Sequence, residues 1–135
     1  MLRTDRYFGY DDAIYSAARL LEIVARSGST LEKLLADVPR MHSTPEIRVD
    51  CPDSLKFRVV ELVTDHFREG FDTIDIDGVR VRFDDGWGLV RASNTQPVLV
   101  MRFEAASEDR LREIRSLMES AVADAVRKAR GSDIP

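Results

Sequence analysis

Long hydrophobic runs, paired cysteines and an excess of basic residues are all missing from this chain of 135 residues. No apolar stretch approaches the roughly 20 residues that a membrane-spanning helix needs, and the first six residues lack the apolar core of a signal peptide. The single cysteine, Cys51, excludes an internal disulfide and multi-cysteine metal sites. The sequence therefore predicts a soluble, cytoplasmic protein without a membrane partner.

Charge limits the class of partner. The chain has 20 basic and 24 acidic residues, so its net charge is -4. Such a chain lacks the long-range attraction that drives non-specific binding to nucleic acids and anionic lipids. We therefore expect any anion site to be local and expect no nucleic-acid partner. Hydrophobic residues make up 44% of the chain, which is enough for the core of one ordinary domain.

Two helices are predicted before residue 39. Apolar residues recur at helical spacing from Asp11 until Gly28, which is typical of an amphipathic helix and its end. A shorter helix follows and ends before Pro39, since proline disfavours helix at the residue before it. Its predicted inward residues are Leu31, Leu34 and Leu35. The polar stretch 40–45 ends in a proline and is the best linker candidate, so we place a domain boundary between residues 42 and 43.

The remainder, residues 43–135, predicts the order β-α-β-β-β-β-α. Five runs have strand patterns, at residues 46–51, 73–76, 79–83, 87–92 and 98–104. Between the second and third runs, Asp77-Gly78 is a strong hairpin signal. One helix begins near Ser54 and another near Ser107. The first predicts an inward face of Phe57, Val60, Val63 and Phe67. The second predicts an inward face made of Leu111, Ile114, Leu117, Met118, Ala121, Val122 and Ala125. This pattern indicates an α+β fold, with helices on one face of a mainly antiparallel sheet.

One segment, residues 86–97, does not follow the packing pattern. Arg91 and Ser93 lie two apart, so they point to the same side if the chain is extended there, and Asn94 and Thr95 add an amide and a hydroxyl at the turn. A phosphate group suits this set, because a guanidinium bonds two of its oxygens and neutral donors fill the remaining lone pairs. The alternative is an ordinary hairpin turn whose polar residues cap it locally.

Other polar and aromatic residues are interpreted as structural. Arg80 and Arg82 alternate with Val79 and Val81, which indicates a solvated sheet face. Trp87 lies between two glycines and is assigned to packing, since a lone tryptophan in a strand is more often part of the core or its rim. No catalytic residue and no metal site is assigned.

Several motifs resemble the C-terminal part of the α-D-phosphohexomutase family, in its bacterial phosphomannomutase/phosphoglucomutase branch. They are residues 77–81 (DGVRV), 86–97 (GWGLVRASNTQP) and 102–104 (RFE). Upstream, residues 6–12 (RYFGYDD) and 17–21 (AARLL) resemble the end of the family's third domain, and residues 43–46 (STPE) resemble the hinge into its fourth. Gln96 departs from the family, which often has threonine or another small residue there.

The resemblance implies that residues 1–42 are a helical remnant of the third domain, and that 43–135 form the complete C-terminal, TBP-like domain. It implies that Arg91, Ser93, Asn94 and Thr95 grip the phosphate of a mannose or glucose phosphate. It also implies an intact enzyme that interconverts hexose 1-phosphate and 6-phosphate through a phosphoserine, with Mg²⁺ and a hexose 1,6-bisphosphate activator. Its phosphoserine, magnesium and sugar-binding loops have no counterpart in this sequence. We therefore expect this chain to hold no cofactor, to need the enzyme's remaining domains as partners, and to be inactive alone.

A different class of function remains open. A sheet with two helices on one face also occurs in small protein-interaction and nucleic-acid-binding modules, an argument from fold analogy alone. A nucleic-acid module needs a basic sheet face with exposed aromatic residues, whereas this chain is acidic overall.

Overall fold

The computed structural model describes residues 12–131, and its contacts divide the chain between Pro39 and Arg40 into two units. The first unit contains the helices α1 (Ala13–Ser27) and α2 (Leu31–Leu34). The second contains the strands β1 (His42–Ser43), β2 (Ile47–Asp50), β3 (Asp72–Ile74), β4 (Val79–Phe83), β5 (Gly86–Ala92) and β6 (Val98–Ala105), and the helices α3 (Asp53–Arg68) and α4 (Glu108–Gly131). Except for Asp12, the motif at residues 6–12 lies outside the described residues.

Local groups set the ends of α1. The Asp12 side chain accepts the backbone N–H of Tyr15 at 2.9 Å and so caps the helix. Gly28 ends it in the left-handed conformation, with φ at 60°. Helix α2 is shorter than predicted, because the residues after it bond three positions back and form turns. The prediction of an inward face on α2 is wrong, because its residues are exposed. These are Leu31, Leu34 and Leu35.

The second unit is built on one antiparallel sheet. The strand order is β1-β6-β5-β4-β3. Strand β2 also pairs with β6, at residues 98–101, whereas β1 pairs with Glu104 and Ala105. The long strands β5 and β6 form the centre, paired from Gly86 with Ala105 to Ala92 with Leu99. The predicted antiparallel α+β fold is confirmed. The sheet contains one strand, β1, that the sequence does not predict.

The predicted linker is held to the sheet. Within residues 40–45, His42 pairs with Ala105, and the N–H of Thr44 donates to the carbonyl of Phe103 at 3.0 Å. The hydroxyl of Thr44 accepts the N–H of Phe103 at 3.2 Å, and Thr44 is buried. Residues 42–44 of this stretch are therefore bonded to β6, and the boundary between residues 42 and 43 stays a prediction. Two residues of strand are too few to show a period-two pattern.

The predicted hairpin forms with a wider loop than the sequence indicates. Strand β3 ends at Ile74, two residues earlier than predicted, and β4 begins at Val79, which leaves residues 75–78 as the loop. Gly78 has φ at 84°, the only positive φ between β3 and β4. A Cβ on Gly78 would lie 2.3 Å from the carbonyl oxygen of Val90 and 2.6 Å from the Cβ of Arg91. Glycine is therefore required both by the turn and by the close approach to β5.

The core lies between one sheet face and the helices α3 and α4. Alternate residues of the central strands are buried, and their registers place them on one face. These residues are Val79, Val81, Gly88, Val90, Ala92, Leu99, Met101, Phe103 and Ala105. Five of the seven residues predicted to face inward on α4 are buried: Ile114, Met118, Ala121, Val122 and Ala125. Leu117 is exposed and Leu111 is half-buried, so the predicted face of α4 is too wide.

The buried face of α3 differs from the prediction. Its apolar residues recur every four positions, as Leu55, Val59, Val63 and Phe67. Phe57, predicted to point inward, is 60% exposed, and Val60 is half-buried. Lys56 and Thr64 complete the buried stripe.

The opposite sheet face carries arginines. The pairing places them on the side that α3 and α4 do not cover, and they are Arg48, Arg80, Arg82, Arg91 and Arg102. Arg80 and Arg82 are exposed, as predicted, and Arg82 pairs with Asp72 at 3.0 Å. The guanidinium of Arg80 lies 4.1 Å from the centre of the Trp87 ring.

Candidate phosphate-binding loop

The candidate loop joins the two central strands at one end of the sheet. Strand β5 ends at Ala92, and residues 93–97 turn the chain into β6. The N–H of Ser93 donates to the carbonyl of Val98 at 3.0 Å, which closes the turn. The carbonyl of Pro97 accepts the N–H of Cys51 at 2.8 Å. The loop therefore lies next to the start of α3, which follows Cys51 in the chain.

The side chain of Ser93 forms hydrogen bonds within the loop. It is 9% exposed, and its Oγ accepts the N–H of Thr95 at 3.4 Å and that of Gln96 at 3.2 Å. A hydroxyl has two acceptor lone pairs and one O–H donor. Since two N–H groups occupy the lone pairs, the remaining hydrogen-bonding capacity of Ser93 is to donate its proton.

Arg91 supplies the charge beside the loop. It alternates with the buried Val90 and Ala92 and so lies on the arginine-bearing sheet face, with its side chain 34% exposed. Its Nη1 is 3.8 Å from a carboxylate oxygen of Asp77 in the β3–β4 loop. That separation is too long for a direct hydrogen bond, and such exposed pairs contribute at most about 1 kcal/mol.

The structure brings the four predicted residues to the same end of the sheet, but not through the strand alternation that the sequence suggests. The sequence extends strand alternation through Ser93, whereas the strand ends at Ala92. Ser93 is buried in the turn, and Asn94 and Thr95 are exposed at its tip. Their common location therefore comes from the turn between β5 and β6.

Lys56 contacts this loop, and sequence reasoning missed it. It lies in the first turn of α3 and is 4% exposed. Its Nζ donates to the carbonyl of Ser93 at 2.5 Å and to that of Gln96 at 3.2 Å, and it lies 2.6 Å from a carboxylate oxygen of Asp53. The sequence signal was its spacing of three residues from Val59, which puts a lysine on the apolar stripe of the helix.

Acidic partners balance the basic residues around the loop. Each of three basic side chains has a carboxylate within 4 Å. The pairs are Arg48 with Glu46 at 2.8 Å, Lys56 with Asp53 at 2.6 Å, and Arg91 with Asp77 at 3.8 Å. Arg48 also donates to the side-chain oxygen of Gln96 at 2.6 Å. Of the three contacts with a carboxylate, that of Arg91 is the longest, so Arg91 is the cation least neutralised by its acidic partner.

Comparison with known proteins identifies the family. Residues 46–121 match the family model described as phosphoglucomutase/phosphomannomutase, C-terminal domain. This match covers more than half of the chain and includes the whole candidate loop. The chain belongs to this family.

Individual members of the phosphoglucomutase/phosphomannomutase family agree with the match. The chain is 47% identical to a phosphomannomutase/phosphoglucomutase of Pseudomonas putida, over 86% of this chain and 25% of the relative. It is 43% identical to a probable phosphoglucosamine mutase of Methanopyrus kandleri, over 88% of this chain and 26% of the relative. A crystal structure of a phosphoglucomutase/phosphomannomutase family protein from Burkholderia thailandensis superposes with a TM-score of 0.71 at 38% identity, covering 92% of this chain and 26% of that one.

The chain spans about a quarter of the length of these family members. Within residues 12–131, His, Cys, Asp and Glu side chains form no group of three that could hold a metal ion. Across the same range, no helix combines the length and the apolar character needed to cross a membrane.

The single cysteine of this domain, Cys51, is a buried core residue. Cys51 is 1% exposed, and this burial raises the pKa of its thiol above the ordinary value. Because the thiolate is the reactive form, Cys51 is a packing residue and a poor nucleophile.

Proposed function

We propose that this chain is the substrate-phosphate-binding domain of a phosphohexomutase. Its ligand is the phosphate group of a hexose 1-phosphate or 6-phosphate, with mannose or glucose as the sugar. The residues that bind it are Arg91, Ser93, Asn94 and Thr95. The observation that carries the proposal is the loop between β5 and β6, where an accessible arginine adjoins a buried serine with a proton to donate.

Each residue of the site has a distinct role in this proposal. The guanidinium of Arg91 makes two parallel bonds to phosphate oxygens, and the hydroxyl of Ser93 donates one more. Asn94 and Thr95, at the exposed tip, contribute an amide and a hydroxyl. Because water competes for every bond and carboxylates balance the nearby cations, we expect a dissociation constant for phosphate in the millimolar range or weaker.

The proposal assigns binding to this chain and catalysis to the intact enzyme. Transfer of phosphate between C1 and C6 is expected to need the phosphoserine, Mg²⁺ and a hexose 1,6-bisphosphate activator. The remaining domains of the full-length enzyme are then the partners of this chain, and the expected location is the cytoplasm. Tight binding comes from closing the loop over a sugar that those domains hold, which also excludes water.

A binding module for nucleic acid is the second candidate, because the structure has a sheet face with five arginines and Trp87. The arginine contacts argue against it. Arg80 covers the Trp87 ring at 4.1 Å, so the ring is not free to stack on a base, and Arg82 is paired with Asp72.

Titration of inorganic phosphate into ¹⁵N-labelled chain tests the proposal. The backbone amides of residues 92–96 are expected to shift first. Arg91→Ala should abolish these shifts, because it removes the principal cation, whereas Arg91→Lys should keep part of the attraction but lose the two-bond geometry. Arg82→Ala is the matched control, since Arg82 lies on the same face but is paired with Asp72. Shifts clustered at Arg80 and Arg82, with the loop unchanged, would overturn the assignment.

Removing the carboxylate that competes for Arg91 should strengthen phosphate binding. Asp77→Asn keeps the shape of the side chain and is expected to lower the dissociation constant roughly 1.5- to 5-fold, the equivalent of an exposed ion pair. The same titration measures it. Asp72→Asn removes an equal charge from the same sheet but releases Arg82, so it should have a smaller effect. Equal effects of the two variants would show that only net charge matters.

A further inference from the structure

We propose that Lys56 is a positioning residue, which holds the β5–β6 loop in the shape that binds phosphate without touching the phosphate itself. This inference rests on the function proposed above. An ammonium group has three N–H donors. Three acceptors surround Nζ: the carbonyl of Ser93 at 2.5 Å, the carbonyl of Gln96 at 3.2 Å and the carboxylate of Asp53 at 2.6 Å. Every donor is therefore used inside the fold, and none is left for a ligand.

The two carbonyls define what Lys56 does to the loop. Ser93 and Gln96 are three residues apart, so one ammonium connects both sides of the turn. Lys56 holds the carbonyl of Ser93 toward α3, and it shares the carbonyl of Gln96 with the N–H of Val98, which donates to it at 2.8 Å. The N–H groups of Thr95 and Gln96 then lie on the Oγ of Ser93. A carbonyl oxygen repels a phosphate oxygen, whereas N–H and O–H groups attract it. Holding the carbonyls away therefore decides which groups the loop presents to an anion.

Stability alone does not account for a lysine here. Removing an ammonium from water costs several kcal/mol, and replacing a buried ion pair by apolar residues is often neutral or stabilising. The carboxylate partner, Asp53, is 70% exposed and would be solvated without the lysine. An apolar side chain at position 56 would also extend the stripe that Val59, Val63 and Phe67 already form. The advantage of lysine lies in its contacts with the loop.

Two variants of Lys56 and one control separate positioning from folding. Lys56→Met keeps an unbranched apolar stem but removes all three donors, and Lys56→Gln keeps two donors without the charge. Thr64→Val is the control, because Thr64 is also buried on α3 but its hydroxyl bonds within the helix, to the carbonyl of Val60 at 2.8 Å. Urea unfolding gives stability, amide hydrogen exchange of Thr95 and Gln96 gives loop order, and titration with inorganic phosphate gives affinity.

The positioning role predicts a specific pattern. Lys56→Met should fold, with faster exchange of the Gln96 amide and at least fivefold weaker phosphate binding, and Lys56→Gln should fall between it and the wild type. Thr64→Val should bind as the wild type does. Unchanged affinity in a folded Lys56→Met would overturn the positioning role and leave the proposed function intact. If neither Lys56 variant folds, Lys56 is structural and the inference is likewise wrong. Absence of loop shifts in the wild type would overturn the proposed function itself, and this inference with it.

Discussion

Replacing Phe67 with alanine is expected to lower the free energy of unfolding by about 3 to 5 kcal/mol, the usual cost of removing a buried phenylalanine. Phe67 is fully buried, and its ring packs edge-on to that of Phe71 at 5.4 Å. Phe57→Ala, on the same helix, should cost less than about 1 kcal/mol. That ring is exposed, and its centre lies 5.2 Å from the ammonium of Lys56.

Urea unfolding of both variants measures this difference. The pair is matched in residue type and in helix, so intrinsic helix propensity cancels and burial is what differs. Because a loss of this size is a large part of a domain's stability, Phe67→Leu provides a milder variant that keeps the fold measurable. If Phe57→Ala and Phe67→Ala lower the free energy of unfolding equally, Phe57 is buried as the sequence predicts and the face of α3 described here is wrong.

The helix face shows where sequence patterns give an ambiguous answer. Val63 and Phe67 belong to both possible stripes, so these two residues do not distinguish them. The sequence pattern favours Phe57 because it is large and apolar, whereas the fold buries Leu55 and the stem of Lys56. A period-3.6 pattern fixes the existence of a helix more firmly than its rotation, because adjacent stripes differ by only one or two residues.

Strands were predictable where alternation was long. Strands β5 and β6 follow their predicted runs closely, with seven and eight residues. The short strand β1 was missed, and the loop after β3 is wider than Asp77-Gly78 alone indicates. Ile76 is almost fully exposed, so no burial favours extending β3 to it. Short elements depend on their neighbours in space, which the local sequence does not contain.

The candidate site divides in the same way. Arg91, Ser93, Asn94 and Thr95 lie within five consecutive residues, so their residue types and the family resemblance were enough to propose them. Lys56 is 37 residues from Ser93 in the chain and bonds to backbone carbonyls, which every residue has. No side-chain pattern marks which carbonyls a buried lysine will reach. Its role therefore required the folded arrangement of α3 against the β5–β6 turn.

The chemistry of phosphoryl transfer sets the limit of what this loop does alone. Such transfer depends on an oriented acceptor and on groups that neutralise the charge of the moving phosphoryl. The loop supplies one guanidinium and neutral donors, and residues 12–131 contain no group of three potential metal ligands. Enzymes accelerate the slowest phosphate-monoester reactions by up to about 10²¹-fold. Weak binding of one phosphate contributes a negligible part of that factor.

We therefore expect no mutase turnover when this chain is incubated with glucose 1-phosphate or mannose 1-phosphate, with or without Mg²⁺ and a hexose 1,6-bisphosphate. ³¹P NMR measures the ratio of 1-phosphate to 6-phosphate over time, with a full-length family member as the positive control. Contaminating enzyme is recognised by activity that persists in Arg91→Ala. Turnover that follows the chain through gel filtration and disappears in Arg91→Ala would contradict the prediction, because the loop would then belong to a complete catalytic site within these 135 residues.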